Sequence, residues 1–225
     1  MKKERLLVIS LIFILFFLIG ITQAQETSII RDSLYSQTLQ EERNLNVLLP
    51  GDYKPGSETK YEVIYLLDGE WSIDLVPYIH RFAKGEGFLP PVIFVGLPNT
   101  YIKGANQRDR DFLPANSADK FLDFLGKEVI PYVEKKYPAN GDRTLYGHSY
   151  GGLFSTYAML TKPQLFDAYL ASDPSYHWNN GFMLNYAKEK LPALKGMNKS
   201  FWINGIENTY KNMRISDMDK SKCFC

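Results

Sequence analysis

The sequence predicts a single α/β domain built on a mostly parallel sheet, with antiparallel strands at its start. Three observations carry this. Short apolar runs bounded by turn residues recur along the chain, and helical patterns separate them. One run leads into Gly147-His148-Ser149-Tyr150-Gly151, and a helical pattern follows at once. Strand and helix in regular alternation is the pattern of a parallel sheet with helices packed on its faces.

The first segment stands apart from that domain. Met1-Lys2-Lys3-Glu4-Arg5 is basic, and Leu6 to Ile21 is apolar except for Ser10 and Gly20. Thr22-Gln23-Ala24 then supplies a small residue for cleavage, so residues 1–24 read as a secretory signal peptide. The apolar run is short for a membrane span. A secreted or periplasmic domain of residues 25–225 is expected, with no stable membrane association after cleavage.

Composition narrows the partners. The 225 residues carry 26 Lys+Arg against 25 Asp+Glu, a net charge of +1, which points neither to nucleic acid nor to an anionic surface. A hydrophobic content of 45% is enough for a full core. Cys223 and Cys225 sit one residue apart at the end of the chain, a spacing poor for a disulfide and insufficient for zinc. No metal and no cofactor is expected.

Residues 28–39 and 43–49 read as two strands closed by the turn Leu49-Pro50-Gly51-Asp52-Tyr53. "YEVIYLLDG" (61–69) and "PVIFVGLPN" (91–99) are continuous apolar runs, as in strands buried on both faces. "TLYG" (144–147), "AYLAS" (168–172) and "SFWING" (200–205) repeat the design. Helices are expected near 74–84, 118–136, 152–161 and 181–191, with Pro131 kinking or ending the second.

In a parallel sheet, reacting groups gather at the C-terminal ends of the strands. A sharp strand-to-helix turn there lifts one side chain above the sheet, and glycines on either side avoid collision of a Cβ with strand and helix. Gly147-x-Ser149-x-Gly151 fits this nucleophile elbow. Ser149 is the candidate nucleophile, and the Tyr150 amide is placed to receive an oxyanion.

From Leu45 to Gly205 the chain resembles the esterase D-like family of α/β hydrolases, which includes siderophore and feruloyl esterases. The resemblance runs through "LNVLLPGDY", "YEVIYLLDGE", "QRDRDFLP", "YGHSYGGLFSTYAML", "PQLFDAYLASDPSYHW" and "FWINGIEN". It implies an α/β-hydrolase fold, cleavage of a small-molecule carboxylic ester through an acyl-enzyme, and a second oxyanion amide near Gly69 or Glu70. It also permits Arg108 or Arg110 to hold an anionic or catecholate substrate, though a loop-fixing Arg–Asp pair with Asp111 is the plainer reading of both arginines. Trp71, His177 and Trp178 are expected along the pocket.

A serine hydroxyl needs a base, and the order expected after the nucleophile is acid and then histidine. Glu207 follows "FWING" at the acid position, with Asp173 as the alternative. The chain has three histidines. His148 lies inside the elbow, His80 in a helical segment, and His177 alone comes after Ser149. The 225-residue chain is therefore expected to lack the family's catalytic histidine and to be C-terminally incomplete, with His177 as a substitute base the lesser alternative. A non-catalytic binding protein on the same fold is the second reading.

Overall fold

The structure is a computed structural model and describes residues 28–205 apart from Tyr101 and Lys103. The expected signal peptide, Glu207 and both cysteines lie outside the described residues.

Among the described residues seven strands form one sheet: β1 (Ile30–Ser36), β2 (Glu41–Leu48), β3 (Tyr61–Leu67), β4 (Val92–Leu97), β5 (Ala139–His148), β6 (Ala168–Ser172) and β7 (Ser200–Asn204), in the order β1-β2-β4-β3-β5-β6-β7. The β1–β2 and β2–β4 pairings are antiparallel, and β4–β3, β3–β5, β5–β6 and β6–β7 are parallel. The order reverses at β3, where chain crossovers leave for opposite sides. This is where open α/β sheets hold their sites.

Strands and helices answer the expected pattern, with differences that have physical causes. β5 begins at Ala139, ahead of the apolar "TLYG". Its polar first half still pairs with β3, Ala139 opposite Tyr61 and Arg143 opposite Val63 across a register shift. "QRDRDFLP", expected as a loop, contains a short helix at Arg108–Phe112. A further short helix, α1 (Gly69–Ser72), opens directly from β3, followed by α2 (Val76–Gly85); the Arg108–Phe112 helix is α3.

The helix expected at 118–136 runs its full length in three parts: α4 (Ala118–Phe124), a π-helical turn (Leu125–Val129) and α5 (Ile130–Lys136). Pro131 lacks an N–H and its ring crowds the preceding turn. The wider π turn just before it accommodates both defects without ending the helix. α6 (Tyr150–Thr161) follows β5 and is buried from Gly151 to Leu160, and α7 (Trp178–Lys190) follows β6.

The main core lies on the sheet face covered by α3 to α7. Leu45, Val47, Tyr65, Ile93, Val95, Leu145 and Tyr169 meet Phe112, Phe121, Phe124, Leu153 and Phe154 there. A smaller cluster of Leu48, Leu66, Ile73, Val92 and Phe94 lies on the other face. Among the described residues β7 is the last strand on its side of the sheet, and its Trp202 is 73% exposed.

Candidate active site

The elbow forms where β5 gives way to α6. Ser149 sits at φ 57° and ψ −116°, a backbone region that costs a non-glycine residue free energy and persists only where its surroundings hold it. Its N–H donates to the Ser172 carbonyl at 3.0 Å, and its own carbonyl accepts from Leu153 at 3.0 Å and Ser175 at 3.1 Å. Both ends of the strained residue are thus tied down.

The glycines divide the steric work differently from the expectation. A Cβ on Gly147 would stand 2.2 Å from the Gly151 carbonyl oxygen, so Gly147 is required. A Cβ on Gly151 meets only Leu67 Cβ at 3.5 Å and Asp68 Oδ2 at 3.6 Å, ordinary contacts. The second tight position is Gly152, where a Cβ would lie 2.9 Å from the Ser172 oxygen and 3.1 Å from Pro174. The helix therefore presses on the β6–α7 loop through Gly152, and Gly151 is not sterically required.

The first amides of a helix have no acceptor inside it. The Tyr150 amide opens α6, and the Gly69 and Glu70 amides open α1 beside it. Asp68 takes the left-handed conformation, φ 52°, to turn the chain out of β3. Gly69 then lies against β4 so closely that a Cβ would come within 2.3 Å of the Leu97 nitrogen. The Glu70 carboxylate accepts from the Asn99 amide at 3.2 Å and the Thr100 amide at 2.7 Å. It pins this turn to the loop after β4.

Arg108 extends its guanidinium to Asp68, Nε to Oδ1 at 2.8 Å and Nη2 to Oδ2 at 3.1 Å. The same guanidinium lies over Trp71, Phe112 and Tyr150, 5.5 to 5.8 Å from the ring centres. Burial pushes the Asp68 carboxyl above its ordinary value, and the arginine works against that. Arg110 donates to Glu41 and to Asp111, so its donors are committed to holding α3 on β2.

Beneath these lies a polar chain that residue patterns did not reveal. Arg43, 2% exposed within β2, donates to Asp111 at 2.8 Å and to the Pro98 carbonyl at 3.0 Å. Asn99 donates to the same Asp111 at 2.9 Å and accepts the Asp68 N–H at 3.3 Å. The alternation of polar and apolar residues in "EERNLNVLL" is what a half-exposed strand shows; two buried carboxylates, Asp111 on α3 at 2.8 Å and Glu41 on the same strand at 3.2 Å, make a buried arginine possible.

The three histidines are all described, and none hydrogen-bonds Ser149. His80 is buried in the smaller cluster with its ring 5.4 Å from that of Phe94, and burial holds its pKa below the ordinary value. His148 is exposed and, with Ser172, Asp173, Asn204 and Gly205, lines a cleft of about 230 Å³. His177 is exposed at the start of α7. Trp71 is exposed beside Arg108, whereas Trp178 packs on the core and against Phe182. The side-chain partner of Ser149 among the described residues is Ser175, Oγ to Oγ 3.1 Å.

A strained serine between β5 and α6, in a sheet of this order, is the arrangement of an α/β hydrolase, and comparison with known proteins agrees. Residues 36–220 match the family model described as Putative esterase. The chain belongs to that family. It is 39% identical over 150 residues to the siderophore triacetylfusarinine C esterase of Aspergillus fumigatus, covering 59% of this chain and 50% of that one. It is 32% identical over 183 residues to the ferri-bacillibactin esterase BesA of Bacillus subtilis, covering 71% of this chain and 63% of that one. Among solved structures, the IroE-like serine hydrolase from Shewanella oneidensis superposes with a TM-score of 0.71 at 32% identity, over 78% of this chain and 60% of that one. The esterase-family chain spans half to less than two thirds of the length of these relatives.

Proposed function

We propose that this member of the esterase family is an exported serine hydrolase that cleaves small-molecule carboxylic esters of the siderophore class, with Ser149 as the nucleophile. The observation that carries this reading is the strained, doubly tethered Ser149 at the head of α6. Strain held at one residue marks a functional position when the surrounding bonds serve to keep it there. Attack by Ser149 Oγ on the ester carbonyl breaks the C–O bond and leaves an acyl-serine. Water then releases the acid. The amides of Tyr150 and of Gly69 or Glu70 receive the oxygen charge in both steps. The names of the relatives support the substrate class.

The base is the open place in this scheme. No imidazole among the described residues meets Ser149, and on that basis the 225-residue chain is expected to hydrolyse p-nitrophenyl acetate far more slowly than a complete triad does. A site that keeps its oxyanion donors and binding retains only about 10³–10⁴-fold over water. Glu207 or Asp173 is the acid in this proposal. Rapid hydrolysis by this chain that is lost in His177→Ala would make His177 the base instead.

Ser149 Oγ meets the Ser175 hydroxyl and no imidazole among the described residues, which favours a second reading, a ligand-binding protein that keeps the hydrolase fold. Enterobactin, in the presence of which the crystal structure of the enterobactin esterase FES from Shigella flexneri was determined, separates the two when offered to the native full-length protein. Ester cleavage lost in Ser149→Ala supports the enzyme, and saturable binding without cleavage supports the carrier. Export rests on the basic start, the apolar run and Ala24. Secreted material should begin at Gln25 or within a few residues, and an intact Met1 in a cytosolic fraction would refute it.

A further inference from the structure

The segment Ser172–Ser175, between β6 and α7, grips the nucleophile from three directions. The Ser172 carbonyl accepts the Ser149 N–H, the Ser175 N–H donates to the Ser149 carbonyl, and Pro174 abuts Gly152. The segment is itself anchored at both ends. Asp173, at φ 41°, donates its N–H to the Asn204 carbonyl of β7 at 2.8 Å, and the Ser175 carbonyl accepts the Trp178 N–H at 3.0 Å. Ser175 is 6% exposed, and its hydroxyl has one partner among the described residues: Ser149 Oγ, at 3.1 Å.

A hydroxyl is both donor and acceptor. A buried one facing the reacting oxygen has a use in the attack. When Ser149 loses its proton to a base, its oxygen needs a donor to hold the growing charge, and Ser175 Oγ–H is already within reach. Donation in the resting state does a second thing. It occupies one lone pair of Ser149 Oγ and fixes its rotamer, which leaves the serine's own proton free to be taken.

We propose that Ser175 is a second catalytic hydroxyl, which donates to Ser149 Oγ, sets its orientation and stabilises its alkoxide. The proposal rests on the reading of Ser149 as nucleophile. Ser175 keeps its proton throughout, so no further acceptor is needed.

The test reads donation directly, with no need for turnover. In the full chain carrying Ser149→Cys, Cys223→Ser and Cys225→Ser, the pH dependence of iodoacetamide alkylation gives the pKa of the thiol at position 149. A donor from Ser175 stabilises the thiolate and lowers that pKa. Adding Ser175→Ala should raise it by about one unit, a roughly tenfold loss of thiolate below the pKa, and Ser175→Thr should restore most of the difference. Ser175→Gly serves where the alanine variant does not fold. A thiol pKa that is the same with and without the hydroxyl overturns the proposal. Failure of the native protein to react with a fluorophosphonate would instead count against Ser149 as nucleophile, and the thiol titration stands apart from that result.

Discussion

The Arg108 guanidinium grips both carboxylate oxygens of Asp68 in the turn that leads to α1. Asp68 carries the left-handed turn, and Arg108 lies over Tyr150, the residue after Ser149. The pair therefore joins the backbone segments that open α1 and α6, whose first amides are the proposed oxyanion donors.

Removing one partner leaves the other charge buried, since the two side chains are 17% and 9% exposed. Arg108→Ala should lower the unfolding free energy by about 3 kcal/mol. Pairing it with Asp68→Asn should recover part of that loss in a double-mutant cycle measured by urea denaturation. If Arg108→Ala left stability unchanged and raised only KM, Arg108 would be a substrate contact and not a brace.

The elbow glycines make a sharper contrast. In Gly147→Ala the new Cβ runs into backbone, and the clash should cost about 4 kcal/mol, or about 10 °C in Tm for a domain of this size. Gly151→Ala, with ordinary contacts around its Cβ, should stay within about 1 kcal/mol of the parent. Thermal unfolding followed by circular dichroism decides it. Equal losses in the two variants would mean that the elbow packs differently.

Acid stability should depend on Asp32, where β1 meets α5. Burial raises its pKa, but hydrogen bonds from Lys136, Tyr137 and Tyr132 outweigh that and bring it down to about 2. A carboxylate with a depressed pKa contributes stability above its unfolded value, near 4, and loses it as the pH falls toward 2. The contribution at neutral pH is about 2 kcal/mol. Asp32→Asn should be destabilised at pH 7 by that order, and its deficit relative to the parent should shrink from pH 4 to pH 2. A constant deficit would count against the ion pair as the cause.

What could be read from residue patterns divides along physical lines. Apolar runs such as "YEVIYLLDG" announce strands because burial on both faces leaves no choice of residue. Ser149 stands out because strain and close packing demand glycine near it. Long-range polar partners leave no such trace. Nothing in "EERNLNVLL" shows that Arg43 will meet Asp111, and nothing in "DPSYHW" marks Ser175 as the neighbour of Ser149. The pairing of Asp68 with Arg108 was equally hidden, since Asp-Gly after a strand reads simply as a turn. The Gly-x-Ser-x-Gly pattern points to a clash at Gly151 that belongs to Gly152, because the β6–α7 loop that Gly152 touches is brought in by the fold.

The most direct test of the account is the site of covalent reaction. A fluorophosphonate probe incubated with the native full-length protein should give a single adduct, mapped by mass spectrometry to Ser149 and absent in Ser149→Ala. An adduct that persists in the alanine variant, or maps to another residue, would contradict the assignment of Ser149 as the nucleophile.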